Sequence, residues 1–198
     1  AGRAQLLAEA EQNQGKKQIL QQIQENANEA SEIIEDLMSF AEPPQPRPTR
    51  TSISQIIDEA LQLAGRKVKS EKINVEIENI DDIKSIIIDS AQIVSALANI
   101  ICNAVESYGQ IEGKVTIRIQ LDDSKDFVKL SVEDNGCGMN SETLKKATQP
   151  FFSSKPAGRK RGMGLTYAVR LIQINKGSLS ISSEQGKGTT VSIYLPNK

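Results

Sequence analysis

Three polar side chains interrupt a predicted helix whose surface is otherwise apolar. Asp89 followed by Gln92 is typical of a capping box, and the helix that it starts carries apolar residues around most of its circumference. Asn99, Asn103 and Glu106 lie at i, i+4 and i+7, so they form one stripe along this helix. Buried amides and carboxylates need partners, and a hydrated divalent cation that bridges phosphates would provide them. The alternative is that the stripe faces water beside a loop.

A second candidate segment, Asp134 to Gly138, directly follows a predicted strand. Asp134 would be fixed at the strand end, where a carboxylate can accept a hydrogen bond from the amino group of a base. Gly136 and Gly138 would let the backbone approach such a ligand closely. Asp-Asn-Gly is also a strong turn signal, so a simple hairpin loop is the alternative.

A third segment combines glycines with basic residues at the start of a predicted helix. Backbone N–H groups at a glycine-rich helix start bind anions, which predicts a phosphate site here. The residues that open this helix are Gly162, Met163, Gly164 and Leu165. The basic residues just before them are Lys155, Arg159, Lys160 and Arg161. The alternative is a basic loop that is merely solvated.

The composition excludes several kinds of site and partner. The formal net charge of -1 gives no bulk attraction to nucleic acid or to an anionic membrane, so we expect neither as a partner. The chain contains no histidine, which excludes a Ser-His-Asp triad or a His-ligated zinc within it. Cys102 and Cys137 have no metal-ligand spacing, so a reducing cytoplasm fits best. No run of about 18 apolar residues occurs, so we expect a soluble segment, either cytoplasmic or the cytoplasmic part of a membrane-anchored receptor.

A helical hairpin precedes these segments. From Lys16 to Ala41 apolar residues recur at steps of four or three, the pattern of a bundle seam. Residues 3–11 are typical of the end of another helix, and residues 13–15 of a turn. A lone hairpin cannot bury its stripe, so we expect a homodimer that forms a four-helix bundle; the alternative is a hairpin folded back on its own globular domain. The seam consists of Ile19, Ile23, Ala27, Ala30, Ile34, Leu37 and Ala41.

Prolines at positions 43, 44, 46 and 48 predict a stiff linker after the hairpin. We therefore expect two domains, residues 1–48 and 49–198. Within the second, the patterns predict helices over 54–68, 90–108 and 165–175, and strands over 73–77, 86–88, 115–121, 127–133, 178–183 and 190–195. Helices and mostly antiparallel strands in this order predict an α+β fold, a two-layer α/β sandwich.

Two further segments, Pro150 to Lys155 and Gly186 to Thr190, complete a series of motifs in one order. Each motif is weak alone, but in this order they resemble the GHKL superfamily of ATP-binding domains, and within it the sensor histidine kinases. Residues 99–106 match the N box, 134–138 the first glycine box, 150–155 the F box, 162–165 the second glycine box and 186–190 the last. Residues 37–41 are similar to the end of the family's dimerisation and phosphoacceptor hairpin, and residues 2–7 to sequence just downstream of its histidine. The resemblance implies a Bergerat-type ATP-binding fold preceded by an α-helical hairpin.

The resemblance also implies a role for each matching residue. It implies that Asn103 holds Mg²⁺ against the triphosphate, that Asp134 reads the adenine amino group, and that Thr190 supports the adenine, partly through water. Lys155 and the basic residues after it would lie on a mobile flap over the phosphates. The implied nucleotide-binding set is Asn99, Asn103, Glu106, Asp134, Gly136, Gly138, Lys155, Arg161, Gly162, Met163, Gly164, Leu165 and Thr190. The sequence departs from the family at positions 160 and 161, where many members have a glycine and a small residue.

Asn99 bears on the reaction. Superfamily members that hydrolyse ATP, such as gyrase and the mismatch-repair ATPases, carry Glu four residues before the metal-binding Asn, where this chain has Asn99. Attack by water needs a general base, whereas neutral imidazole is already a nucleophile, so a kinase is favoured over a hydrolase. The resemblance implies transfer of the γ-phosphoryl group of Mg·ATP to a histidine of the hairpin, leaving ADP, and relay to an aspartate of a response regulator receiver domain.

Two other functions use the same motifs. One is a non-catalytic nucleotide-sensing or dimerisation module, in which ATP only orders the lid and positions the hairpin. The other is a serine kinase of the anti-sigma-factor type, against which the hairpin with its apolar seam argues. Since this chain has no histidine, we predict that it binds ATP but does not autophosphorylate.

Overall fold

The structure is a computed structural model that describes residues 11, 13–42, 44–67, 73–78, 85–108, 113–122, 126–154 and 162–197. The chain divides into two compact units, Ala1–Pro44 and Gln45–Lys198. Among these described residues, no helix is both long and apolar enough to cross a bilayer.

In the described residues of the first unit, the chain forms one long helix, α1 (Gln14–Ala41). It starts where the side chain of Asn13 accepts hydrogen bonds from the N–H groups of Gly15 and Lys16, at 3.0 and 3.2 Å. The helix predicted over 16–41 is confirmed, whereas the other helix of the hairpin falls almost entirely outside the described residues. Seam residues Ile19, Ile23 and Ile34 are 60%, 50% and 57% exposed, so this apolar stripe is open to contact.

The second unit contains the remaining elements. They are β1 (Thr49–Ser52), α2 (Ile53–Lys67), β2 (Ile73–Glu78), β3 (Ser85–Ile88), α3 (Ser90–Glu106), β4 (Gly113–Leu121), β5 (Phe127–Asp134), α4 (Ser141–Lys146), α5 (Gly164–Ile174), β6 (Ser178–Glu184) and β7 (Gly188–Pro196). The five-stranded sheet has the order β2-β4-β5-β7-β6, and β1 pairs with β3 in a separate two-stranded sheet. Only the β2–β4 pairing is parallel among the strand pairs of the described residues. Helix α3 packs against α2, α5, β4 and β5, so helices and sheet form two layers, as predicted.

The core lies between α3 and the sheet. Ile93, Leu97 and Ile100 of α3 are at most 1% exposed, and burying each such side chain stabilises the fold by about 1.5–3 kcal/mol. Strand β5 alternates, with Val128, Leu130 and Val132 buried on the same side. Asp134 continues this buried row, and the strand therefore delivers a carboxylate to the edge of the core.

The sequence patterns missed two short elements. Strand β1 is polar and has no apolar alternation, so only its antiparallel pairing with β3, from Thr49 opposite Ile88 to Ser52 opposite Ser85, defines it. Helix α4 lies between the strand predicted over 127–133 and the helix predicted over 165–175, where no helix or strand was predicted. It is capped by Asn140, whose side-chain oxygen accepts from the Thr143 N–H at 2.8 Å.

Candidate functional site

Asp134 is the last residue of β5 and is 6% exposed. Its Oδ1 accepts hydrogen bonds from the Ser107 hydroxyl at 3.0 Å and from the Gly136 N–H at 2.9 Å. The backbone N–H of Thr189 is a further donor to this carboxyl group. An ionised carboxylate offers about four acceptor positions. The described donors therefore leave room for one more, such as the amino group of a ligand.

The surroundings of Asp134 act on its pKa in opposite directions. Burial is the largest effect and raises the pKa above the ordinary value of 3.8, and the negative charge of Glu133 adds to the rise. The hydrogen bonds from Gly136, Ser107 and Thr189 lower it, but the net shift is upward. The fold thus holds a partly desolvated carboxylate ready to bind a hydrogen-bond donor.

The register of β5 and β7 decides which threonine accompanies Asp134. Thr189 lies opposite Asp134, whereas Thr190 lies opposite Glu133. Side chains of directly paired residues share one face of a sheet and successive residues alternate. Thr190 therefore lies on the opposite face of the sheet from Asp134, and its implied role in supporting the adenine, partly through water, stays a prediction. Thr189 lies on the same face as Asp134, with its Oγ1 2.8 Å from Oγ of Ser183.

The turn after Asp134 lies against two other elements, and glycine permits both approaches. A Cβ on Gly136 would lie 1.8 Å from Oγ of Ser107, at the end of α3. Gly138 has φ +60°, and a Cβ on it would lie 2.0 Å from the carbonyl oxygen of Glu184, at the end of β6. The close approaches described here are to protein groups, and the approach of this backbone to a ligand stays a prediction.

Sequence reasoning assigned no role to the two residues that follow Glu106. Ser107 contacts Asp134, as described above. The hydroxyl oxygen of Tyr108 accepts from the Asn135 N–H at 2.8 Å and lies 2.6 Å from Oδ1 of Asn135. Burial raises the pKa of Tyr108 above 10.0, which keeps its hydroxyl protonated. The sequence feature that could have predicted these contacts is the pair of polar residues, Ser107 and Tyr108, directly after a buried helix.

The polar stripe of α3 is half-buried, while the rest of the helix is mostly buried. Asn103 lies one helical turn before Ser107, on the same face, and so on the side of the helix that reaches Asp134. Asn99, one turn further back, adjoins the start of α5, since a Cβ on Gly164 would lie 3.9 Å from Cβ of Asn99. The structure thus brings together the stripe, Asp134 and the start of α5.

The start of α5 is suited to an anion. Met163, its buried N-cap residue, makes no side-chain capping hydrogen bond, so the first-turn N–H groups have no cap from that side chain. Gly162 precedes it with φ +65°, and a Cβ there would lie 2.4 Å from the carbonyl oxygen of Phe152. Leu165, in the first turn, packs on the hydrophobic core. The predicted basic residues Lys155, Arg159, Lys160 and Arg161 lie outside the described residues, and their role stays a prediction.

The donor set limits how a divalent cation could be held. Over the described parts of the chain, His, Cys, Asp and Glu side chains form no group of three or more suited to a metal. Asn103 offers an amide oxygen on a half-buried face of α3. Mg²⁺ usually takes only one or two protein ligands and completes its shell with phosphate oxygens and water. This face therefore fits a Mg²⁺ ion that arrives with a phosphorylated ligand.

Residues 88–198, which include the stripe, Asp134 and the start of α5, match the family described as Histidine kinase-, DNA gyrase B-, and HSP90-like ATPase. The chain belongs to this ATPase family. Within the family it is 31% identical over 170 residues to the signal transduction histidine-protein kinase AtoS of Escherichia coli, covering 84% of this chain and 27% of that protein. Three other curated relatives are also much longer than this chain, which spans only 20% to 26% of their length.

Solved structures of histidine kinases share the fold of this ATPase-family chain. Full-length ShkA in complex with AMPPNP superimposes with a TM-score of 0.81 at 19% identity, over 98% of this chain and 42% of that one. Histidine kinase ThkA in complex with the response regulator protein TrrA gives a TM-score of 0.72 at 19% identity, over 95% and 53%. The predicted two-layer fold and the resemblance to sensor histidine kinases are confirmed.

Proposed function

We propose that this chain is the ATP-binding catalytic region of a sensor histidine kinase, which transfers the γ-phosphoryl group of ATP to a histidine for relay to a response regulator aspartate. The observation that carries the proposal is the placement of Asp134. It lies at the end of β5, surrounded by hydrogen-bond donors, and Ser107 joins it to the helix that carries Asn99 and Asn103.

Each end of the nucleotide has a candidate partner. Asp134 would accept a hydrogen bond from the adenine amino group, and Thr189, beside it in the register, would support the base. The triphosphate would then run along the half-buried stripe toward the start of α5, where backbone N–H groups favour anions. The basic residues before Gly162 would cover the phosphates, as the resemblance implies.

Asn103 would hold Mg²⁺ through its amide oxygen, and the bound ion would neutralise charge on the phosphates. A histidine imidazole nitrogen attacks the γ-phosphorus, the bond to the bridging oxygen breaks, and ADP leaves. The chain's own contribution is positioning and charge stabilisation. Asn99 stands where hydrolytic relatives carry Glu, and an amide cannot take a proton from water at neutral pH, which favours phosphoryl transfer over hydrolysis.

The proposal includes partners beyond ATP and ADP. The exposed apolar residues of α1, including Ile19, Ile23 and Ile34, support a homodimer in which a second copy covers this stripe. A receiver domain as the next phosphoryl acceptor is supported by the resemblance and by the complex that ThkA forms with a response regulator. We place this activity in the cytoplasm, where ATP and reduced cysteines are found.

A transfer assay tests the proposal. A histidine-bearing hairpin is supplied to the purified chain with Mg²⁺ and ATP labelled at the γ-phosphate. We expect label on the hairpin that is stable to alkali and lost in acid, and its loss with Asn103→Ala. Nucleotide binding without any transfer would favour the alternative function, a nucleotide-sensing module. Transfer that is unchanged by Asn103→Ala would contradict the metal-binding role of Asn103.

A further inference from the structure

We infer that Ser107 is a positioning residue for Asp134: its hydroxyl fixes the orientation of the carboxylate so that the remaining acceptor position meets the amino group of the base. The inference deepens the proposed function and rests on it. Ser107 is the C-cap residue of α3, the helix that carries Asn103.

Three contacts converge on Ser107. Its hydroxyl lies 3.0 Å from Oδ1 of Asp134, its carbonyl oxygen accepts from the Cys137 N–H at 3.3 Å, and Gly136 leaves the space that its Oγ occupies. The serine is therefore held from both its backbone and its side chain. Any other residue at position 136 would displace the hydroxyl, because a Cβ there would lie 1.8 Å from it.

The hydroxyl has one proton and two acceptors within reach. Oγ lies 2.7 Å from the carbonyl oxygen of Ala104 and 3.0 Å from Oδ1 of Asp134. A hydrogen bond to an ionised carboxylate is stronger than one to a neutral carbonyl, so the proton goes to Asp134 when that group is charged. The Ser107 hydroxyl and the Gly136 N–H then both donate to Oδ1 of Asp134. A donor on the ligand must therefore use an acceptor position that these two groups leave free on the carboxylate.

The geometry also links the two ends of the nucleotide site. Asn103 and Ser107 lie on one face of α3, about 6 Å apart along the helix axis. Ser107 contacts Asp134. Helix α3 therefore sets the distance between the Asn103 amide, which would hold the metal, and the Asp134 carboxylate, which would bind the base. A change at Ser107 should therefore alter recognition of the amino group more than recognition of the phosphates.

A comparison of two nucleotides separates this role from a structural one. Binding of Mg·ATP and of Mg·purine riboside triphosphate, which carries hydrogen in place of the 6-amino group, is measured by calorimetry on the full chain. We expect Ser107→Ala to weaken ATP binding about fivefold, the value of one ordinary hydrogen bond, and binding of the analogue by less than about twofold. Equal weakening of both nucleotides, or of neither, would overturn the inference.

Two further variants keep the test decisive. Ser107→Cys has nearly the same shape with a weaker donor, so its preference for ATP should fall between those of wild type and Ser107→Ala; it carries the test should the alanine variant not fold. Ser131→Ala removes a buried hydroxyl from the same strand as Asp134, 3.2 Å from Oγ of Ser192, and should leave the preference unchanged. A wild-type chain that binds both nucleotides equally, or neither, contradicts the proposed function itself, whereas a wild-type preference that survives in both Ser107 variants contradicts only this inference.

Discussion

Thr189 and Asp134 lie directly opposite each other in the antiparallel register of β7 and β5. The pairing places the threonine hydroxyl on the face where the carboxylate is buried, and the backbone N–H of Thr189 donates to that carboxyl group. The base-binding end of the proposed site is therefore built from two strands that are distant in the sequence.

We predict that Thr189→Val weakens Mg·ATP binding about fivefold, because valine keeps the shape but removes a hydroxyl beside the base. The matched control is Thr190→Val on the neighbouring residue, whose side chain lies on the other face; it should change the Kd by less than about twofold. Isothermal titration calorimetry of both variants checks this. A larger effect at Thr190 would contradict the assignment taken from the register.

Asp134→Asn should weaken Mg·ATP binding by about 10- to 100-fold. The substitution replaces an acceptor by an amide that both donates and accepts, and hydrogen bonds to charged groups are worth about 1.5–3 kcal/mol. Fluorescence titration with a labelled ATP analogue measures the loss. Glu133→Gln, a neighbouring carboxyl on the opposite face that pairs with Arg118, is the control, and comparable losses in both variants would argue against a specific role.

The pKa of Asp134 is raised by burial, which predicts a pH dependence of stability. Above pH 3.8 the unfolded chain has released this proton while the folded chain still holds it, so Asp134 contributes less stability as pH rises toward the folded pKa. Wild type should therefore lose stability relative to Asp134→Asn over that interval. Urea unfolding at a series of pH values measures the difference, and a difference that stays constant or has the opposite sign would contradict the prediction.

Tyr108→Phe should lower the free energy of unfolding by about 1–3 kcal/mol, because it leaves the Asn135 N–H without its acceptor. The turn that follows Asp134 would lose a hydrogen bond to the segment directly after α3. Tyr194→Phe, on a half-buried ring near Lys129, should change the stability by less than about 0.5 kcal/mol. Chemical denaturation of the two variants side by side gives both values.

The purified chain should retain no label from ATP labelled at the γ-phosphate, because it contains no histidine. The measurement is an autophosphorylation assay followed by treatment with acid and with alkali. Label that survives alkali and is lost in acid would show a phosphoramidate and contradict the prediction. Calorimetry on the same sample must show Mg·ATP binding, so that an inactive preparation is not mistaken for the expected result.

Helical and strand periodicity in the sequence accounted for most elements of the second unit. Helix α3 was predicted over 90–108 and spans Ser90–Glu106, because a capping residue and a nearly continuous apolar surface leave few alternatives. Strand β1 and helix α4 were not predicted, because each is short and neither has a repeating pattern of apolar residues. Strand β1 pairs with β3, and α4 has the Asn140 cap and an ion pair between Glu142 and Lys146.

For the candidate site, too, the sequence indicated some of the residues, whereas the contacts between them required the structure. Local sequence made Asn103 on its polar stripe and Asp134 at a strand end candidates, because each is anomalous among its immediate neighbours, and the order of the motifs along the chain added the resemblance that implies their roles. The choice of Thr189 over Thr190 depends on strand register, which two adjacent threonines cannot reveal. The contact between Ser107 and Asp134 joins residues 27 positions apart in the chain, so only the packing of α3 on the sheet could decide it. Periodicity is a property of consecutive residues, whereas register and packing arise only when separate elements compete for one core.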